Sequence, residues 1–310
     1  MTCTRFIVLA LVAFYASNSP AEYAVEEAAA VLNLVDRGRT LHLEIRYPRN
    51  AGKSPVVVFH HGALCTAAGY GELAAHWASQ GYVVLMPFHP ASVKPKGRPD
   101  AAEQYLIFRE QLADMSSVLD SFDAIGEQVR PLKPMLDPER VAAAGHSMGA
   151  LIATTVSGLA RSAPDGQRLE LRDDRYDVAV LLSGPGPLPM TPEDAWAGVR
   201  LPTLVTTGTR DHANRGGEGA DWEWRLGAFE LTPPQGKFAL IVDQADHFLG
   251  GAICPERVST APDSDAFAIV ANVSTHFMNA YLKDDSTSRA ALRSELVSAA
   301  TQGRAELRVR

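Results

Sequence analysis

The stretch Val141-Ala142-Ala143-Ala144-Gly145-His146-Ser147-Met148-Gly149-Ala150-Leu151-Ile152-Ala153 decides how this chain is read. An unbroken apolar run suits a strand buried on both faces, and the small-residue run after it suits a closely packed helix. Between them stands Gly-x-Ser-x-Gly, a tight turn that holds its serine in a strained backbone conformation at a helix N-terminus. The flanking glycines let strand and helix approach without Cβ clashes. A serine held there faces the helix dipole and the free Met148 N–H, which suits the oxyanion that forms in acyl transfer. Ser147 is therefore the candidate nucleophile.

The remaining parts of such a site can be sought at the ends of other strands. Pro55-Val56-Val57-Val58-Phe59 runs straight into His60-His61-Gly62-Ala63-Leu64, and Gly62 allows a turn that aims the Ala63 N–H at the same oxygen as Met148 N–H. One such donor is worth roughly 100- to 1000-fold in turnover. Among nine histidines the best placed base is His247, in the loop after the strand expected at Phe238 to Asp243. The acid should also follow a strand and precede the base, and Leu204-Val205-Thr206-Thr207-Gly208-Thr209-Arg210-Asp211 supplies it. Asp243 and Asp246 are rivals in sequence, but carboxylates so near in one loop rarely oppose the imidazole correctly. His276 lies in a helical pattern and reads as a packed or surface residue. His60 and His61 read as loop-structuring residues, since no carboxylate or third imidazole stands at metal-ligand spacing beside them. No metal and no organic cofactor are expected.

Around these motifs, apolar runs alternate with helical stretches, the pattern of an α/β fold with a mostly parallel central sheet and helices on both faces. Strands are expected at Leu41 to Tyr47, Pro55 to His60, Tyr82 to Pro87, Val141 to Gly145, Val178 to Ser183, Pro202 to Gly208 and Phe238 to Asp243. The polar alternation of the first suits an edge. Helical spacing of Phe108, Leu112, Met115, Leu119 and Phe122 marks one helix from about Ala101 to Ile125, and another runs from about Asp265 to Leu282. Ala91 to Pro99, with two prolines, reads as a surface loop. The charged tail past Leu282 reads as a last helix or a partly disordered end. No linker divides the chain, so residues 22–310 form one catalytic domain.

Residues 1–21 read as a secretory signal peptide: Arg5 precedes the apolar run Phe6 to Tyr15, and small and polar residues end at Ser19-Pro20-Ala21. That run is too short for a membrane span, which needs about 20 residues, so export without a stable anchor, to a periplasm or beyond the cell, is expected. A net charge of −7 and no basic cluster argue against nucleic acid as a partner. Of three cysteines, Cys3 would leave with the leader. Cys65 and Cys254 then remain, either as a bridge between the two catalytic-face loops or as two separate buried thiols.

These residues together resemble the α/β-hydrolases, in the branch that holds dienelactone-hydrolase-like proteins, chlorophyllases, platelet-activating-factor acetylhydrolases and bacterial polyester hydrolases. The likeness spans most of Leu41 to Leu282. Its carriers are the His60-His61-Gly62 stretch, Trp77-Ala78-Ser79-Gln80-Gly81-Tyr82-Val83-Val84, the Ser147 motif, Gly208-Thr209-Arg210-Asp211 and Ala245-Asp246-His247. The resemblance implies a serine hydrolase cleaving carboxylic esters of small to medium size. Two departures qualify it. Ser147 stands where dienelactone hydrolases carry cysteine, and Ala63 stands where polyester hydrolases carry an aromatic residue.

Leu64, His89, His146, Trp196, Trp222 and Trp224 are the candidate substrate contacts, on loops above the sheet. An amidase or peptidase, or a polyester hydrolase, would use the same triad. A non-catalytic ligand-binding module on this fold is the alternative from another class. The sequence leaves the natural ester and the oligomeric state open.

Overall fold

Residues 22–89, 100–169, 171–188, 191–212 and 221–310 are described by a computed structural model of the chain. The expected leader and the expected loop from Ala91 to Pro99 lie outside them. The Val- and Ala-rich runs become the middle of a nine-stranded sheet. In chain order the strands are β1 (Val25–Leu34), β2 (Arg39–Pro48), β3 (Ser54–His60), β4 (Val83–Phe88), β5 (Leu136–His146), β6 (Arg161–Ser162), β7 (Arg168–Leu169), β8 (Val178–Leu182), β9 (Thr203–Gly208), β10 (Lys237–Val242) and β11 (Ala305–Val309). The main sheet runs β1-β2-β4-β3-β5-β8-β9-β10-β11, while β6 and β7 pair with each other apart from it.

The six strands from β4 to β10 in that order are parallel, and β2 and β11 close the block on either side as antiparallel neighbours. Every residue of β3, β8, β9 and β10 is buried, as strands covered on both faces require. The two-residue period then splits the core. Val56 and Val58 of β3 face one apolar cluster, and Val57 and Phe59 face the other.

Eight helices are described: α1 (Gly71–Ser79), α2 (Ala101–Asp120), α3 (Phe122–Gln128), α4 (Met148–Val156), α5 (Gly227–Glu230), α6 (Ser264–Leu282), α7 (Ser286–Ala291) and α8 (Ser294–Ala300). Helix α2 begins where Asp100 accepts from the Glu103 N–H and Glu103 returns a bond to the Asp100 N–H, a reciprocal cap that satisfies two otherwise orphan donors. Its Leu112, Met115 and Leu119 pack with Leu151 and Ile152 of α4 in the first cluster. On the other face, buried Trp77 of α1 donates from its indole N–H to Ser274 Oγ of α6 at 3.0 Å. No described helix is long and apolar enough to cross a membrane.

Three expectations need correction. The alternating strand around Leu41 to Tyr47 is not at the edge, because β1 pairs with β2 along ten residues from Val25 to Leu34 and takes the outer position. Only alternate residues of β1, such as Ala30, Leu32 and Leu34, are buried, which left it a weak signal. The tail is ordered: α7 and α8 bring β11 back against β10, pairing Phe238 with Val309 and Val242 with Ala305. The long helix expected to reach Ile125 breaks at Ser121, whose φ of −107° and ψ of 13° leave the helical region.

Candidate active site

Strand β5 delivers Ser147 to the carboxyl edge of the parallel block, and α4 starts at the next residue. Ser147 has φ 55° and ψ −113°, a positive-φ conformation that costs a non-glycine residue free energy. Its N–H donates to Leu182 O at 2.9 Å, which fastens the turn to the end of β8. The neighbouring glycines are obligatory. A Cβ on Gly145 would lie 2.4 Å from Gly149 C, and one on Gly149 would lie 1.9 Å from His60 O.

His60 ends β3, and the same Cβ would lie 2.8 Å from His61 O in the loop that carries Gly62 and Ala63, so the serine turn touches both the strand end and this loop. Gly62 N–H donates to the Tyr70 oxygen at 3.1 Å, and the Tyr70 hydroxyl lies 2.7 Å from His146 Nδ1. The other nitrogen, His146 Nε2, lies 2.8 Å from His247 O. A carbonyl only accepts, so Nε2 carries the proton and Nδ1 accepts from Tyr70. Burial, and after it the charge of His247, push the His146 imidazole well below its ordinary range, in keeping with this neutral tautomer.

The same two loops are joined covalently. Cys65 and Cys254 are bonded, with Cα atoms 5.4 Å apart and 189 positions between them in sequence. Cys254 N–H also donates to Gly69 O at 2.8 Å, and Glu256 Oε1 accepts from Thr66 N–H at 2.6 Å. Cys65, Cys254 and Glu256 form the one cluster of metal-ligand types among the described residues, and its two sulfurs are bonded to each other.

His247 Nδ1 lies 2.8 Å from Asp211 Oδ1, which orients the ring and leaves its Nε2 for chemistry. The Asp211 side chain has no exposed surface, whereas that of His247 is 21% exposed. Burial alone would raise the Asp211 pKa, but the bond and charge of His247, the charge of Arg225 and the Ser183 hydroxyl together bring it down to about 2. The rival carboxylates are used elsewhere. Asp246 Oδ1 accepts from Phe248 N–H and Gly250 N–H, and Asp243 accepts from Thr209 Oγ1. Neither Ala63 N–H nor Met148 N–H donates to any described residue.

The other sequence candidates divide. Leu64 is exposed, with φ 63°, beside Ala63. Trp224 is half-buried, donates to Pro187 O at 3.3 Å, and lies under the Arg225 guanidinium. Trp222 packs beneath Arg308 of β11. Trp196 is a correction: it is buried in the first core cluster, with one edge on a cavity of about 360 Å³ lined also by Leu188, Pro192 and Leu231. His146 is a second correction, since it has no exposed surface and both nitrogens are engaged.

His89 is a third, buried at 3% exposure where its Nδ1 lies 2.8 Å from Asp114 Oδ2 and its N–H donates to His61 Nε2. Asp114 is also paired with Arg37 in the β1–β2 turn and with Arg39 at the start of β2. Sequence reasoning passed over Asp114, although a carboxylate between the core positions Leu112 and Met115 was a legible signal of a buried charge. Arg225 had no such signal.

The chlorophyllase family model matches residues 17–165. The fold is an α/β-hydrolase fold. The match runs through the Gly62 loop, the Ser147 turn and α4, and ends before Asp211 and His247. It supports ester hydrolysis as the general activity of this α/β-hydrolase. No curated protein matches the chain.

Two predictions follow from the buried groups. Burial holds His60 and His146 well below the ordinary imidazole range and, with the charge of His89, brings His61 down to about 4. The unfolded chain therefore takes up protons below about pH 6.5 that the folded state refuses, so stability falls as pH drops, by about 1.4 kcal/mol per pH unit for each such ring. Urea unfolding across that range measures the slope, and a flat curve would contradict the burial. Replacing Cys65 and Cys254 together by serine should lower the unfolding free energy by up to about 5 kcal/mol in the chain-entropy view, read from denaturant midpoints.

Proposed function

We propose that the protein is a serine esterase in which His247 activates Ser147, Asp211 orients His247, and the N–H groups of Ala63 and Met148 hold the oxyanion. The observation that carries this reading is the 2.8 Å contact between His247 Nδ1 and a fully buried Asp211, beside a serine held at φ 55° on a strand-to-helix turn. His146 links the serine to the base, because it precedes Ser147 in the chain and donates to the His247 carbonyl.

The chemistry follows in order. His247 Nε2 takes the Ser147 proton as Oγ attacks the ester carbonyl, and the imidazolium is stabilised by Asp211. The proton passes to the departing alcohol, leaving an acyl group on Ser147. Water, activated by the same imidazole, releases the acid. Carboxylic esters of small to medium size fit the exposed approach over Leu64 and Met148, at 37% and 38% exposure. Export belongs to the same reading, with residues 1–21 as a leader that is removed. The Cys65–Cys254 bridge supports it, because such bonds persist in oxidising compartments.

The test is hydrolysis of a p-nitrophenyl ester series by the protein lacking residues 1–21 and by its Ser147→Ala variant. The variant should lose roughly ten-thousandfold or more in kcat, and the preferred acyl length sizes the pocket. Equal rates for the two proteins would sink the esterase reading.

A further inference from the structure

Asp211 has a second basic partner besides His247. Arg225, in the segment that leads into α5, places Nε 3.1 Å from Asp211 Oδ1, the same oxygen that faces His247 Nδ1. The pair is internal: the Arg225 side chain is 11% exposed and that of Asp211 is fully buried. Its NH1 lies 3.3 Å from Ser183 O, the carbonyl just past β8, and its guanidinium stacks at 5.5 Å over the Trp224 ring. A built-in clamp therefore joins Asp211 to the end of β8, to whose last residue Ser147 N–H is also bonded.

The dyad described above needs none of this to orient the imidazole. In a water-poor site, a guanidinium on the acid cancels much of the negative charge that would otherwise stabilise protonated His247. Among the described residues, the other charged and titratable groups facing the dyad do not do this. From β5, His146 is held neutral by its two partners, and from the histidine loop Asp246 is turned to Phe248 N–H and Gly250 N–H. Thr207 Oγ1, at 3.4 Å from Asp211 Oδ2, and Ser183 are uncharged.

Resting on the triad reading above, we propose that Arg225 is a positioning residue of this hydrolase: it sets how much of the Asp211 charge His247 feels, and thereby sets the acid limit of activity. The proton balance is simple. Below that limit His247 holds a proton on Nε2 and cannot accept the one from Ser147. With Arg225 present, the protonated ring shares its counter-ion with a permanent cation, so protonation is less favourable and activity extends further into acid.

The measurement is the pH dependence of kcat/KM for p-nitrophenyl acetate, from about pH 5 to about pH 9, in the wild type, Arg225→Lys and Arg225→Gln. Glutamine keeps a donor for Ser183 O and removes the charge, while lysine keeps the charge and loses the planar fork. In Arg225→Gln the acid limb should move up by about one pH unit, a roughly tenfold loss below it with the plateau nearly unchanged. Arg225→Lys should keep the wild-type limb. A uniform loss at every pH, an unmoved limb, an equal shift in both variants, or failure of Arg225→Gln to fold would each overturn the proposal in favour of a purely structural Arg225. A fluorophosphonate probe separates this failure from the larger one. Labelled wild type with an unmoved limb removes only the role of Arg225. A wild type without label that matches Ser147→Ala in rate removes the triad reading and this inference together.

Discussion

The close approach of Gly149 to the His60 carbonyl is the constraint on which the rest of the site depends. A side chain of any size at position 149 would collide with that oxygen, since even a Cβ would stand 1.9 Å away. Because the contact is made backbone to backbone, the start of α4 and the loop after β3 are held at a separation no side-chain packing could reach. That closeness puts Met148 N–H and Ala63 N–H on neighbouring elements, neither spent on another described residue. The strain at Ser147 is retained because β5, β8 and α4 all fix the turn from different directions.

From that contact outward, the catalytic face is fastened by a short relay of buried polar groups. Gly62, Tyr70, His146 and the His247 carbonyl form one chain of hydrogen bonds that runs through the residue preceding the serine. A disulfide between Cys65 and Cys254 bridges the same two loops a few residues further along. The two ties differ in kind. A buried bond network holds particular atoms in place and is costly to half-satisfy, whereas a covalent link mainly restricts the unfolded chain. His146 cannot do its share as a cation, because its Nδ1 must accept from Tyr70, so burial that disfavours the charged ring serves the geometry.

A second buried polar group is tied to the Gly62 loop. Asp114 of α2 pairs with Arg37, Arg39 and His89 Nδ1, and His89 passes the constraint on by donating its backbone N–H to His61 Nε2. His60 stacks on His89 with ring centroids 4.2 Å apart. The histidines of this protein thus divide by burial. His247 keeps part of its ring in the open, while His60, His61, His89 and His146 are buried as packing and hydrogen-bonding elements.

Much of this was legible in the chain itself. The apolar runs, the glycines around Ser147 and the placement of Asp211 and His247 after strands follow from rules that act over a few residues: side-chain period, steric room at a turn, and the satisfaction of helix ends. Those rules also sufficed for the fold class and for the α/β-hydrolase likeness. What lay beyond them depends on partners far apart in sequence. The weakly patterned β1 and the returning β11 became strands only because β2 and β10 offered open edges to pair with. Burial of His89, His146 and Trp196 was decided by what packed over them, and the pairing of Arg225 with Asp211 by two loops meeting at the sheet edge. Local sequence determines what a segment can form, while desolvation and pairing in the folded molecule decide which side chains remain available for chemistry.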